Sequence, residues 1–388
     1  MWSPSTIDQT VSFKEISTYK VIDKDLQSAL KPLNAMLFIY FSTKYSIRND
    51  IVTSNYTVHK ILCAIWILVT FGLCVYRFIE ILYYPLSHLG LFYSFINTID
   101  LVIIVCAIVR CCSLFKKYND DLLMLYKIQY VFQVLQISRD QIRDLIICYW
   151  ISCIVFNIFV FSTFIGIFYI FHSFETVNTA YVCFLFDVST IYTFLILKLL
   201  RRILRIWIEK VVQSKNIGDH KKGYWNTIFD VYLKIQEIFM IIDKIYQYII
   251  ILFKVLLHIL IAAYLILRNL TVVLISVPYL IVGEISVIML TTFIEIWDIK
   301  SLVLLICLSV ECEKFYSTMR EVESICTMLM PMSTSFKRKA LKNILRLQKT
   351  SFQKMNACGL FPVDASLSVE YSSFANTYVL VILQFAFL

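Results

Sequence analysis

Apolar residues are unevenly spread along this chain; they gather into seven runs separated by charged linkers. Each run is long enough to cross the ~30 Å hydrocarbon core of a bilayer as a helix. They cover roughly 59–84, 89–113, 145–172, 176–200, 249–275, 287–313 and 369–388. The linkers carry a helical period of their own. In 121–137 apolar residues recur at 122, 125, 128, 132 and 135, the spacing of one helix face. The stretch 228–249 keeps that period straight into the fifth run. In 336–355 Phe336, Leu341, Ile344 and Leu345 alternate with basic residues. Their continuity with the spans favours a packed cytosolic bundle over helices lying on the inner membrane surface. Segment 33–41, LNAMLFIYF, is too short to cross and reads as interfacial or tucked beneath the bilayer.

Charge assigns the sides. The segment before the first span holds seven Lys and Arg residues (Lys14 to Lys60), 115–144 holds five, 201–248 nine and 314–368 nine. The short loops 85–88, 173–175 and 276–286 hold none. The positive-inside rule then places the N-terminus in the cytosol and, after an odd number of spans, the C-terminus outside. The first thirty residues are polar and hold no apolar run before a small-residue cleavage site, which agrees with a cytosolic start. The net charge of +9 is thus a topological signal rather than a nucleic-acid footprint.

Composition agrees with a polytopic helical membrane protein. The 388 residues are 59% hydrophobic and 16% charged, where soluble domains sit near ~45–50% and ~25%. None of the twelve cysteines falls in the short outer loops, so no extracellular disulfide framework is indicated. Enzyme chemistry finds no support. HExxH, GxSxG, the Walker loop and CxxC are all missing, and the five histidines (59, 88, 172, 220 and 258) form no ligand-spaced pair. No cofactor or metal is expected.

The last run carries the most informative pattern. At 100° per residue Glu370, Ser373, Thr377, Val381, Gln384 and Leu388 fall within an arc of about 80°. Every other direction is apolar for most of the length. A single polar stripe at membrane depth faces protein or water rather than lipid. Side chains of this kind also glue helix–helix interfaces. The valine between the polar positions adds a second reading, because a ring of apolar side chains closes a wet path by dewetting. Such a ring needs several copies of the helix around an axis.

Thr377-Tyr378, five apolar residues and Gln384-Phe385 resemble the C-terminal signature of insect gustatory receptors. FQKMNACGLFPVDASL (352–367) is similar to the segment preceding that family's last span, and IWDIKSLVLLICLSVECEKF (296–315) to its sixth span. The resemblance covers the whole chain. It implies an all-α membrane protein of seven transmembrane helices assembled as a tetrameric, ligand-gated cation channel. It also implies four last spans around a central pore, a cytosolic helical anchor and an outward-facing ligand pocket in each subunit. The chain then divides into a cytosolic N-terminal segment with an interfacial helix (1–58), spans one to six with cytosolic extensions 115–144 and 201–248 (59–313), anchor helices (314–368) and a pore-lining span (369–388). On the family pattern Val381 falls at a hydrophobic gate, Phe385 where a second gate residue lies, and Gln384 with Thr377 and Ser373 on the polar pore wall. Phe385 suits either a plug or packing behind the pore.

Ligand contacts are expected in the outer halves of the spans, where an apolar hollow with a few polar groups would suit a small molecule. Asp100 and Asp187 lie deep, about eleven residues from the outer ends of the second and fourth spans. Tyr169, His172, Tyr181, Glu295, Trp297 and Asp298 are placed at or near the outer mouth. Trp297 is the favoured aromatic, suited to sugar stacking or to a cationic alkaloid; interfacial anchoring is the plainer role for each aromatic. The expected partners are a tastant (a bitter compound ahead of a sugar), permeating cations, membrane lipid, and further subunits in a homotetramer or heterotetramer. The plasma membrane of a sensory dendrite is the expected location. Two other classes compete. A G-protein-coupled receptor has seven spans but the opposite orientation, and a secondary transporter commonly shows repeats and Gly/Pro-broken helices not found here.

Overall fold

The computed structural model describes residues 22–40, 42, 44–48, 51–53, 56–83, 119–171, 174–214, 223–247, 281–331, 333–357, 359–367, 369–370, 373, 377 and 384. The second and fifth spans, and most of the last, lie outside the described residues. Helices dominate. They are α1 (Lys24–Ile39), α2 (Tyr56–Tyr83), α3 (119–135), α4 (Arg139–Phe171), α5 (Phe174–Gln213), α6 (223–247), α7 (Ile281–Leu329) and α8 (Ser335–Ser351). Two small antiparallel hairpins join them: β1 (Ser46–Arg48) with β2 (Ile51–Thr53), and β3 (Asn356–Ala357) with β4 (Phe361–Pro362).

Helix length sets the architecture. The 40 residues of α5 rise about 60 Å and the 49 residues of α7 about 73 Å, roughly twice the hydrocarbon thickness. Each is therefore long enough to cross a bilayer and continue well beyond it, and the two pack extensively along each other. The stretches Arg139–Tyr169 and Cys183–Gln213 are each long and apolar enough to cross a membrane. Their surroundings differ. The second is almost wholly buried, whereas the first is mostly uncovered. Ile147, Ile151, Ile154, Ile158, Phe161 and Ile165 of α4 stand exposed at helical spacing. An apolar face of that extent requires hydrocarbon or another chain against it.

The periodic linker segments become helices close to where they were expected. Stretch 121–137 gives α3, 228–249 gives α6 and 336–355 gives α8. Gln136, at φ 48°, ends α3 in the left-handed region that commonly closes a helix. Segment 33–41 forms the second half of α1. Asp23 caps that helix, its carboxylate accepting from the Asp25 amide at 2.8 Å. The apolar side of α1 is buried mainly against α4.

Directed hydrogen bonds tie the extensions together. Trp207 Nε1 of α5 donates to the Ile228 carbonyl of α6 at 3.0 Å. Tyr232 of α6 donates to Gln348 of α8 at 3.3 Å, and Gln348 Nε2 donates to the Met319 carbonyl of α7 at 2.7 Å. Phe239 stacks on Phe315 with centroids 4.8 Å apart, and Phe352 packs beside both. The hairpin β3–β4 was not foreseen, because a two-residue strand has no readable period. Its turn holds Gly359 at φ 78°, a conformation open to glycine without steric cost. Tyr316 fixes the hairpin twice, donating to the Val363 carbonyl at 2.9 Å and accepting from the Met355 amide at 3.0 Å. Burial, helped by the neighbouring Cys312 thiol, pushes the Tyr316 phenol well above the usual range, against the opposing pull of the Met355 amide. Asp364 is held below the usual carboxylate range by the hydrogen bond from Lys354.

Tyr316→Phe removes both hydrogen bonds and leaves two buried backbone groups unanswered. We expect a loss of about 1–3 kcal/mol, read as a lower unfolding midpoint of the purified protein in detergent. Thr350→Val, on the exposed face of α8, serves as a control expected to change stability by less than about 0.5 kcal/mol.

Candidate functional site

Two features are candidates for a functional site: a buried ionic and aromatic cluster beside a cavity, and the polar face of the last helix. The cluster is built by α5, α7 and α4. Lys300 of α7 forms an ion pair with Asp187 of α5, with side chains 12% and 1% exposed. The Lys300 ammonium also lies over aromatic rings, 3.7 Å from the centroid of Trp297, 5.3 Å from Phe184 and 6.0 Å from Phe159. Phe184 and Trp297 touch each other with centroids 4.5 Å apart, and Phe164 meets Phe184 edge-on at 5.1 Å. The charge is thus answered on two sides, by a carboxylate and by ring faces. Asp187 bonds Lys300 through Oδ2, while its buried Oδ1 has no hydrogen-bond partner among the described residues.

Lys300 also forms part of the wall of a cavity of about 430 Å³, within the ~300–1,000 Å³ usual for small-molecule sites. The rest of the wall is nearly all hydrocarbon: Val155, Phe156 and Phe159 from α4, Ile191 and Phe194 from α5, and Ile296, Ile299, Val303 and Leu304 from α7. Ser152, Thr190 and Cys307 complete it. The Thr190 hydroxyl is committed to its own helix, donating to the Phe186 carbonyl at 3.0 Å. Val155, Ile296, Ile299 and Val303 are each substantially exposed, so the cavity opens sideways at the flank of the chain.

The residues nominated from sequence are distributed as follows. Trp297 is buried at 5% exposure. Its ring face, which the sequence left open to a sugar or an alkaloid, carries Lys300. Asp187 is the partner of that lysine and lies outside the cavity wall. Tyr181 is half-buried, donating to the Tyr40 carbonyl at 3.0 Å, with its ring edge-on to Trp66 at 5.9 Å. Glu295 is exposed on α7, and Tyr169 is 77% exposed on α4. Asp100, His172, Val381 and Phe385, together with the side chain of Asp298, lie outside the described residues. Lys300 was missed. The signal was available, because IWDIK places a lysine one turn after the tryptophan, and a lysine at that depth requires an acid.

On the last helix Ser373, Thr377 and Gln384 are helical and exposed. At 100° per residue they share an arc of about 40°. Thr377 Oγ1 returns to the Ser373 carbonyl at 2.9 Å, a bond that satisfies the hydroxyl within its own helix.

The family model described as 7tm chemosensory receptor matches residues 55–388. The chain belongs to the 7tm chemosensory receptor family. The receptor is accordingly a membrane-embedded chemoreceptor, and its mostly helical structure is shared with solved relatives. The insect olfactory receptor OR5 from Machilis hrabei in complex with eugenol is 14% identical, with a TM-score of 0.56 over 93% of this chain and 100% of that chain. The same olfactory receptor in a second structure is 13% identical, with a TM-score of 0.52 and the same coverage. No curated protein matches the chain.

Removing one member of the buried ion pair leaves the other charged and unanswered. Lys300→Met is expected to cost about 3–5 kcal/mol, and Lys300→Met with Asp187→Leu to recover most of it. Unfolding midpoints of the two purified variants, compared with the wild-type receptor, check this. A single variant as stable as the double one would remove the pair from the account.

Proposed function

We propose that the receptor is a gustatory receptor: a tastant-gated, non-selective cation channel built from four subunits, identical or mixed, around their final helices. The observation that carries this reading is the exposed, co-facial set Ser373, Thr377 and Gln384. A primary amide at membrane depth costs several kcal/mol unless hydrated or bonded, and assembly around an axis supplies both water and neighbours. Val381 falls within the wider arc of about 80° by sequence spacing, so four copies form an apolar ring between wet levels, closed at rest by dewetting. Phe385 is the second constriction, or packing behind it. Ligand occupying a hollow among the spans shifts the equilibrium toward an arrangement in which these rings wet.

A bitter compound is favoured over a sugar as the tastant. A sugar needs several directed polar partners, and the cavity between α4, α5 and α7 offers almost none. The working location is the plasma membrane of a sensory dendrite. A G-protein-coupled receptor or a transporter draws no support from the family or the fold. Val381→Ser tests the gate. A polar ring lowers the barrier to wetting, so basal current in voltage clamp is expected to rise several-fold at unchanged surface expression. A silent channel at normal expression would refute the assignment.

A further inference from the structure

Among the described residues, the wall of the cavity between α4, α5 and α7 has one charged group, and it is a cation. Lys300 lines the hollow, while its counter-ion Asp187 lies outside the wall, 1% exposed. The ring face that would greet an organic cation, that of Trp297, is already held by the same ammonium at 3.7 Å. A protonated amine entering this space would find hydrocarbon, a like charge and an occupied aromatic face. It would lose its hydration without a replacement, a cost of several kcal/mol or so. An oxygen acceptor meets the reverse situation, because the one charge on the wall attracts it. The sideways opening at membrane depth admits molecules already dissolved in the bilayer.

The geometry points to a lipophilic molecule with one oxygen-acceptor head, a carboxylate best of all, lying with its head at Lys300 and its apolar body along Phe194 and Val303. Protonated amines are rejected. This narrows the tastant class within the proposed function and rests on that reading for its consequence, though the binding itself is separable from gating.

The test uses the full chain in lipid nanodiscs and two photolabels with one apolar body: dodecanoic acid and dodecylamine, each carrying the same diazirine on the chain. Crosslinked residues are mapped by peptide mass spectrometry, with the exposed outer face of α4 around Ile165 as the measure of labelling from bulk lipid. The acid is expected to label Val155, Phe194 and Val303 about fivefold or more above the amine after that normalisation, a modest share of a like-charge penalty. In Lys300→Met/Asp187→Leu, where the wall is uncharged, the ratio is expected to fall to about one. The double variant removes both charges, so that no buried charge is left alone to unfold the chain. Equal labelling of the cavity by acid and amine in the wild-type chain overturns the ligand class. So does a preference that survives the double variant. Labelling of the cavity no stronger than that of bulk-facing α4 overturns the cavity as a binding place. Currents recorded separately with unlabelled dodecanoic acid decide the channel reading: cavity labelling without any evoked current would refute gating and leave the binding site standing.

Discussion

A charge placed at the centre of a bilayer must be answered from within the protein, and the ion pair of Lys300 with Asp187 meets that demand. It joins the long helices α5 and α7. A second bridge between α5 and α7, Arg201 with Glu311, falls about 16–21 Å further along both helices, with Glu311 only 3% exposed. Two directed contacts at different depths define both the rotation and the axial register of one helix on the other. Apolar packing alone tolerates slippage far better, since a helix surface offers many near-equivalent grooves. The cavity is a by-product of this fixing: α4 leans on the pair from a third side and leaves space below the crowded rings of Phe159, Phe184 and Trp297.

Further along the bundle, hydrogen bonds and stacked rings join the ion pairs as ties between helices. The chain Tyr232 to Gln348 to the Met319 carbonyl crosses three helices, and each bond is buried, where an unmade partner is costly. The N-terminal segment joins the same body. Lys44 pairs with Asp121 at 3.2 Å and its ammonium lies over the rings of Tyr192 and Tyr246, while Asp23 takes a bond from its amide to Gln129 of α3 at 3.1 Å. Elements far apart in sequence thus meet in one continuous core, which holds the spacing of the long helices.

Much of this was legible in the sequence, for physical reasons. Period 3.6 survives in the cytosolic extensions because one face is buried and the other is wet, so α3, α6 and α8 could be read from spacing. Spans are harder to orient, since hydrocarbon and protein interior are equally apolar; α4 and α5 look alike in composition and differ in burial. The site was read in part. Asp187 was singled out as an acid at depth and Trp297 as an aromatic at the outer mouth, yet both meet Lys300, which links them across two helices, Asp187 lying 113 positions from it in sequence. Single-chain spacing carries no information on such a contact. The hairpin was illegible because its strands are too short for alternation, and its position is set by Tyr316, a residue that reads as an ordinary helix-face aromatic.

That hairpin has a mechanical consequence. Val363 and Leu367 are fully buried, and they lie directly before the final helix, with Tyr316 clasping the strand between Met355 and Val363. The foot of the final helix is therefore clamped to the packed body formed by α6, α7 and α8. A rod held at its foot can lean or twist but cannot slide lengthwise, so displacement grows with distance from the clamp. Side chains near the outer end sweep the widest arc for the least strain, while those near the foot stay almost still.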